Sequence, residues 1–253
     1  MKLGAQLFSV RDRCDTPEKL YECIKLMKEI GYDMVQASAI CAIEGERLRS
    51  FIDELNMPVV CTHRSFDEIT QRTDESIKFH KTIGCNVIGI GAMPNNYRGS
   101  LEGLKAFARD MSEATKKIKD AGLRFAYHNH AFEFENWDGA TPYDYMIENF
   151  TDFDYIFDTY WSHYAGADTK KYIRILAESN RLNNMHFKDM ISEPQGAICP
   201  CGDGIMKFDE LAGLCRELGI ENIYVEQDNA PDIGDSVAQM KKSYEYLKKI
   251  VKE

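Results

Sequence analysis

The sequence predicts a single α/β domain over residues 1–253, folded as a (β/α)8 (TIM) barrel. Short apolar segments alternate with longer amphipathic segments along the chain, and the pair occurs eight times, about every thirty residues. No Pro/Ser-rich linker interrupts this repeat. The alternative is an open doubly wound sheet, but no G-x-G-x-x-G follows the first apolar segment. The complete set of eight repeats favours the barrel.

The predicted strands are short and continuously apolar. They are Lys2–Phe8, Met34–Ala37, Pro58–Thr62, Asn86–Ile90, the stretch Arg124–Glu133, Tyr155–Asp158, Asn184–Lys188 and Ile223–Glu226. Continuous apolar strands that alternate with helices are typical of parallel strands covered on both faces. We therefore expect the strands to pair in parallel, joined by helical crossovers.

Helices are predicted from caps and from apolar residues at helical spacing. Thr16, Pro17 and Glu18 begin the first helix, which ends at Gly31, because a cap, an early proline and an acid favour a helix start. The remaining predicted helices are Glu44–Leu55, Asp67–Ile83, Ser100–Ala121, Tyr143–Asn149, Thr169–Ser179, Phe208–Leu218 and Asp235–Val251. Each strand is thus followed by one predicted helix.

Composition excludes several classes of protein. Proteins that bind nucleic acid usually carry a positively charged face that neutralises phosphates. This chain has a net charge of -10, so nucleic acid is not expected as a partner. Neither a signal peptide nor a membrane-spanning segment is recognisable, and no membrane partner is expected. The eight cysteines are scattered without zinc-finger spacing. We expect a cytoplasmic protein with reduced thiols.

Ionisable and polar residues recur where the predicted strands end, which in a barrel is the catalytic face. They are Gln6, Ser9, Arg11, Gln36, His63, His128, His130, Glu133, Asp158, His186, Lys188, Asp189 and Glu226. Each alone has an ordinary structural explanation, such as a helix cap or an ion pair. Together they would be costly to bury unless they served one site. A loop with Gly202 and Gly204 is expected to move over that site.

Three of these residues suggest a metal ion. Asp158, His186 and Glu226 end three successive strands, which are neighbours in a barrel. Two carboxylates and an imidazole suit a divalent ion such as Mn²⁺, Mg²⁺ or Co²⁺. The fifth strand should supply a fourth ligand. His128 and His130 are two apart and face the same side of a strand, with Glu133 just beyond.

Several segments resemble the sugar isomerase/epimerase superfamily of xylose-isomerase-like barrels, which also contains inosose dehydratases and endonuclease IV. The resemblance covers essentially the whole chain and is carried by GAQLFSVRD, YHNHAFEF, FDTYWSHYAGAD, HFKD, GDGIMKFDEL and YVEQD. It implies one divalent metal ion (Mn, Mg, Co or Zn) bound by Asp158, His186, Glu226 and a strand-five ligand. Glu133 is the expected strand-five ligand, with His128 or His130 as the alternative. Trp161 stands where the family's epimerases have a histidine.

The implied function is metal-dependent sugar isomerisation or epimerisation by proton abstraction next to a carbonyl, through an enediolate. Glu133 and Glu226 are the expected catalytic residues, and the substrate is a small sugar or sugar derivative. The expected substrate contacts are Gln6, His63, His128, His130, Trp161 and Lys188. A lyase or dehydratase acting on a keto-sugar, keto-glycoside or inosose is the alternative. An endonuclease IV-like repair enzyme and a non-catalytic sugar-binding barrel are further alternatives. Barrels of this family commonly associate, which allows a homo-oligomer.

Overall fold

Eight parallel strands pair in chain order and close into a barrel in the computed structural model, which describes residues 1–137, 139–192 and 196–252. The strands are β1 (Lys2–Gln6), β2 (Met34–Ala37), β3 (Val59–Arg64), β4 (Val87–Ile90), β5 (Arg124–His128), β6 (Asp154–Asp158), β7 (Leu182–Phe187) and β8 (Asn222–Val225). The pairing of β1 with β8 from Lys2↔Asn222 to Ala5↔Val225 closes the barrel. This confirms the predicted fold class.

Ten α-helices accompany the strands in the described part of the chain. They are α1 (Pro17–Ile30), α2 (Gly45–Leu55), α3 (Phe66–Thr70), α4 (Thr73–Ile83), α5 (Leu101–Asp120), α6 (Pro142–Asn149), α7 (Thr159–Tyr164), α8 (Thr169–Glu178), α9 (Phe208–Glu217) and α10 (Ser236–Val251). Short 3₁₀ turns cover Leu7–Arg13, Asn95–Tyr97, Phe132–Phe134 and Ala230–Asp232, and a two-stranded antiparallel ribbon joins Asp189–Met190 to Ile198–Cys199. No helix in the ranges given above is both long and apolar enough to cross a membrane.

The helix predicted over Asp67–Ile83 is in fact two helices, α3 and α4. In one continuous helix the Thr73 backbone N–H would bond to Ile69 O. Here the Thr73 hydroxyl donates to Ile69 O at 2.7 Å, and the chain turns between the two helices. A side-chain donor has replaced a backbone donor, which is a known way for threonine to compete with helix formation.

The strands are buried on both faces, as continuous apolar strands require. All four residues of β2 and all four of β4 are buried, including the polar Gln36. Aromatic side chains fill much of the core, and Tyr127, Tyr155, Phe157 and Tyr224 are fully buried. All eight cysteines are free. This packing leaves the C-terminal ends of the strands as a rigid frame for polar side chains.

Candidate metal centre

Four buried side chains meet at the C-terminal mouth of the barrel. His128 is the last residue of β5, Asp158 the last of β6, His186 lies in β7, and Glu226 directly follows β8. Each offers one ligand atom, and these atoms all lie within 4.8 Å of one another. The four strands are consecutive in the barrel, so residues distant in sequence become neighbours at one end.

His128 presents one ring nitrogen to the cluster. Its Nδ1 lies 3.1 Å from Gly91 O. Since a carbonyl oxygen only accepts, Nδ1 is the donor, and Nε2 carries a free lone pair whenever the ring is neutral. Nε2 lies 3.4 Å from Asp158 Oδ2, and neither atom has a hydrogen-bond partner in the described chain. A second nitrogen that donates to a backbone carbonyl is typical of metal-binding histidines.

Asp158 is held by the end of β5 and also begins α7. Asn129 accepts a hydrogen bond from Asp158 N at 2.9 Å and donates one to Asp158 O at 3.2 Å, which joins the ends of β5 and β6. Asp158 Oδ1 accepts from Trp161 N at 3.1 Å and caps α7. The aspartate is therefore a helix cap through Oδ1, while Oδ2 faces the cluster.

His186 and Glu226 make the closest contact in the cluster. His186 Nδ1 lies 2.9 Å from Glu226 Oε2, and His186 Nε2 lies 2.8 Å from Gln36 Oε1. Both ring nitrogens of His186 thus face an acceptor oxygen, and the ring donates to one of them when neutral and to both when protonated. Two electron-rich atoms at this distance need a shared proton or a cation between or beside them.

Lys188 is the cation that the chain itself provides. Its buried Nζ lies 3.4 Å from Asp158 Oδ2, 3.2 Å from Glu226 Oε2 and 2.9 Å from Asp228 Oδ1. Burial alone would lower the pKa of Lys188, but the three carboxylates raise it well above its ordinary value. One ammonium group cannot neutralise three carboxylates, so a further positive charge would be stabilised at this site.

Charge also sets the protonation of the clustered residues. Burial favours the protonated form of Glu226, but Lys188 and His186 hold the pKa of that carboxyl well below its usual range. The pKa of Asp158 is likewise lowered, because Lys188 and His128 outweigh its burial. Burial opposes charge on His128, yet Asp158 and Glu226 raise its pKa above the ordinary value. The carboxylates are thus ionised, as metal ligands must be.

These residues fit a divalent metal ion. Two carboxylates and two imidazoles are a common donor set for such ions, and His128 Nε2 and Asp158 Oδ2 are buried with no hydrogen-bond partner among the described residues. Metal binding would satisfy both atoms, whose burial is otherwise costly. The two imidazoles favour Mn²⁺, Co²⁺ or Zn²⁺ over Mg²⁺, which prefers oxygen ligands.

Glu133 lies outside this group of four. It is fully buried in the 3₁₀ turn after β5 and accepts hydrogen bonds from the Tyr127 hydroxyl at 2.5 Å and from His130 N at 2.7 Å. Burial raises the pKa of Glu133 to about 7, although these hydrogen bonds act in the opposite direction. The sequence placed Glu133 first as the strand-five ligand, but the turn directs it back to its own strand. The structure brings the alternative, His128, to the cluster.

A cavity of about 390 Å³ opens beside the cluster. Its lining includes the predicted residues His63, His128, His130, Lys188 and Glu226, together with Phe8, Arg64 and Asp228. Burial lowers the pKa of His63 well below its usual value, and burial lowers that of His130 to about 3. Both imidazoles are therefore neutral in the free protein and can exchange hydrogen bonds with a ligand.

The other predicted substrate contacts lie at the edge or outside this cavity. Gln6 is buried, and its Oε1 accepts from Phe8 N at 3.4 Å, which caps the turn after β1. Trp161 lines an adjoining cavity and its ring centroid lies 5.2 Å from Lys188 Nζ. Sequence reasoning missed Asp228, although its position two residues after Glu226 was a usable signal. It also missed Asn129, whose role depends on Asp158 in another strand.

The loop predicted to move is tied to Asp189. The Asp189 carboxylate accepts hydrogen bonds from the backbone N–H groups of Met190, Gly202, Gly204 and Met206 at 2.9–3.1 Å. A Cβ on Gly204 would lie 2.2 Å from Asp189 Oδ1, so only glycine allows this approach. The segment is an anchored turn beside β7.

Comparison with known proteins identifies the family. Residues 24–250 match the family described as xylose isomerase-like TIM barrel. The chain belongs to this family. Among curated proteins, none matches the chain by sequence.

Solved structures share the fold at low sequence identity. A sugar phosphate isomerase/epimerase from Parabacteroides distasonis ATCC 8503 superposes with a TM-score of 0.76 at 19% identity, over 97% of this chain and 93% of the other. The IOLI protein with a bound zinc atom gives a TM-score of 0.77 at 13% identity, over 99% and 98%. The probable 3-DHS dehydratase AsbF from Bacillus anthracis gives 0.75 at 12% identity, over 98% of each chain.

Proposed function

We propose that this protein is a metal-dependent sugar isomerase or epimerase that removes a proton from the carbon next to a carbonyl. The observation that carries the proposal is the group of four buried metal-ligand side chains within 4.8 Å, beside a cavity lined with ionisable groups; two of their ligand atoms lack a hydrogen bond within the described part of the chain. Relatives described as isomerases, epimerases and a dehydratase share the barrel and support the same chemical class.

His128, Asp158, His186 and Glu226 would hold the ion. We place His128 in this role instead of Glu133, because its free nitrogen faces Asp158 while Glu133 is engaged by Tyr127 and His130. When bound, a divalent ion supplies Lewis acidity, which acidifies a C–H bond next to a coordinated carbonyl.

Glu226 is the proposed base. Its Oε2 faces His186 and Lys188, which leaves Oε1 for the substrate. Its pKa is held low, so the carboxylate is ionised and can accept the proton of a C–H bond that has been acidified; the resulting enediolate is reprotonated on the other carbon or the other face. Glu133, first expected as a second base, does not line the cavity, and we propose that it positions His130.

Lys188 and the neutral histidines are the proposed substrate contacts. The Lys188 ammonium can donate a hydrogen bond to the substrate oxygen that becomes negative, which lowers the barrier electrostatically. Asp228, 2.9 Å from Lys188 Nζ, keeps that ammonium in place. His63 and His130 line the same cavity and are placed to bind hydroxyl groups. Oxygen-rich sugars match this set of donors and acceptors.

The test is proton exchange in deuterated water. The purified protein is incubated in D₂O with Mn²⁺ and a panel of ketoses and 3-keto-glucosides, and products are followed by NMR. We expect deuterium next to the carbonyl and a new isomer for at least one member. Glu226→Gln should lower the rate by about a hundredfold or more, whereas Glu178→Gln, an exposed carboxylate on α8, should not change it. Metal binding without turnover of any member would overturn the proposal in favour of a non-catalytic sugar-binding barrel.

A lyase is the second candidate, favoured by a further cavity on the far side of His130. In that reaction Glu226 accepts the proton from carbon, the C–H electron pair forms a C=C bond, and the bond to a β-oxygen breaks. The departing oxygen takes a proton from the site and leaves as water or an alcohol. Release of water or an aglycone in the same NMR spectra would identify this outcome.

A further inference from the structure

A second cavity adjoins the proposed active site. Its volume is about 490 Å³, and Arg98, His130, Phe132 and Trp161 are among its lining residues. From its aromatic walls and its unpartnered polar atoms, we infer that it binds the second ring of a glycoside, either a phenolic aglycone or another sugar. This inference rests on the proposed function, because it assigns the first ring to the catalytic cavity.

The two cavities meet at His130, which lines both. Trp161 forms the adjacent wall, with its ring centroid 5.1 Å from that of His130. Lys188 Nζ lies 5.2 Å from the Trp161 ring, so the catalytic ammonium and the second cavity share one aromatic wall. A ligand in the catalytic cavity therefore has a neighbouring volume for a substituent. Each volume is within the usual range of small-molecule sites, about 300–1,000 Å³.

The walls of the second cavity present flat aromatic faces. The rings of Phe132 and His130 are nearly parallel, at 13° and with centroids 6.1 Å apart. The Arg98 guanidinium lies over the Phe132 ring, 4.1 Å from its centroid, and covers one of its two faces. Ala131 and Ala165 line the same cavity and take little of its space. Flat faces of this kind bind phenyl rings and the apolar faces of sugars.

Polar groups at the same place lack partners within the described chain. Trp161 Nε1 and His130 Nδ1 are buried without a hydrogen bond there. The Nε and Nη2 atoms of Arg98 are engaged by Met93 O, and no carboxylate in residues 1–137, 139–192 or 196–252 forms an ion pair with Arg98. Buried polar atoms without partners are costly, and ring hydroxyl groups, which both donate and accept, would satisfy them. Flat faces together with unmet donors indicate an oxygenated ring.

Binding can be measured by the fluorescence of Trp161. The chain has two tryptophans, so Trp137→Phe leaves Trp161 as the single reporter. This variant, loaded with Mn²⁺, is titrated with matched methyl and phenyl glycosides of α- and β-glucose, galactose and xylose, and with cellobiose. We expect at least one phenyl glycoside or cellobiose to bind about three- to tenfold more tightly than the matched methyl glycoside. Which of the two does so distinguishes an aromatic aglycone from a second sugar.

Phe132 provides the matched variants. Phe132→Leu keeps an apolar side chain but removes the flat face, so the preference for the second ring should disappear, while Phe132→Tyr should retain it. The inference is overturned if no second ring improves binding in any pair, or if Phe132→Leu leaves the preference unchanged. The D₂O exchange experiment is independent: its failure with the binding preference intact would reject the proposed function and leave the cavity assignment standing.

Discussion

His128 and Glu133 show how hydrogen-bond partners divide roles between two residues of one segment. Glu133 has both carboxylate oxygens engaged, by the Tyr127 hydroxyl and by His130 N. His128 has one nitrogen engaged by Gly91 O, and its other nitrogen lies 3.4 Å from Asp158 Oδ2 with no hydrogen bond to any described residue. A buried group with a free lone pair gains most from binding a cation.

We therefore expect His128→Ala to lower Mn²⁺ affinity at least about a hundredfold, because a direct ligand matters at least as much as the outer partners of a metal site. Glu133→Gln should keep the metal stoichiometry and instead lower the free energy of unfolding by about 1–3 kcal/mol, since one buried N–H loses its acceptor. Isothermal titration with Mn²⁺ and urea unfolding measure the two effects. Loss of metal binding in Glu133→Gln with His128→Ala unaffected would reverse the assignment.

At the scale of elements, His80 joins α4 to β3 and makes stability depend on pH. Its Nδ1 lies 2.6 Å from Ser76 O and its Nε2 lies 2.8 Å from the Thr62 hydroxyl. Burial lowers the pKa of His80 from 6.5 to about 4. The neutral ring is thus favoured in the folded state, and its contribution is complete above pH 6.5 and is lost as the pH falls toward 4.

When the pH is lowered from 7 to 5, the titration of His80 should reduce the free energy of unfolding by about 2 kcal/mol. His80→Gln keeps a donor and an acceptor but does not titrate, so its stability should fall by about 2 kcal/mol less over the same interval. Urea unfolding at both pH values provides the comparison, and the other histidines are common to both proteins. Equal losses in the two proteins would show that His80 does not contribute.

A second element, the turn after β7, depends on one carboxylate. Asp189 accepts four backbone hydrogen bonds, including those of Gly202 and Gly204. Asp189→Ala should cost about 3 kcal/mol and speed amide exchange over residues 202–206, because four N–H groups lose their acceptor, of which those of Met190 and Met206 are buried.

Asp203→Asn is the matched control for this turn. Asp203 lies in the same turn, but its carboxylate pairs with Lys242 at the surface, 2.5 Å away. The loss should stay below about 1 kcal/mol, as is usual for exposed ion pairs. Unfolding free energies and hydrogen exchange detected by mass spectrometry test both variants. Similar exchange rates at residues 202–206 in Asp189→Ala and the unchanged protein would contradict the anchoring role.

At the scale of the whole molecule, the barrel depends on the pairing of β1 with β8, which joins the two ends of the chain. Gly4 on β1 lies opposite Tyr224 on β8, and a Cβ on Gly4 would lie 2.4 Å from the buried Tyr224 ring. Gly4→Val should therefore cost about 3 kcal/mol by overpacking. Lys2→Val also introduces valine into β1, but at an exposed position, and should have little effect. Equal urea midpoints for the two variants would contradict this expectation.

The sequence by itself determined the barrel and three members of the cluster. Eight strand-helix repeats imply parallel strands that neighbour one another in chain order, so the ends of β6, β7 and β8 had to lie together. Asp158, His186 and Glu226 could be grouped for that reason. Local chemistry and connectivity were sufficient to predict the barrel and this grouping, because the helix caps and apolar runs that reveal the repeats depend only on nearby residues.

Only the tertiary structure decided which strand-five residue faces the cluster, and it revealed Asp228 and the second cavity. The orientation of His128 depends on Gly91, and that of Asp158 on Asn129, through contacts between strands. Glu133 turns away because the 3₁₀ turn after β5 leads its side chain back to Tyr127. A strand pattern gives the side to which residues point, but not the partners they find once the chain leaves the strand.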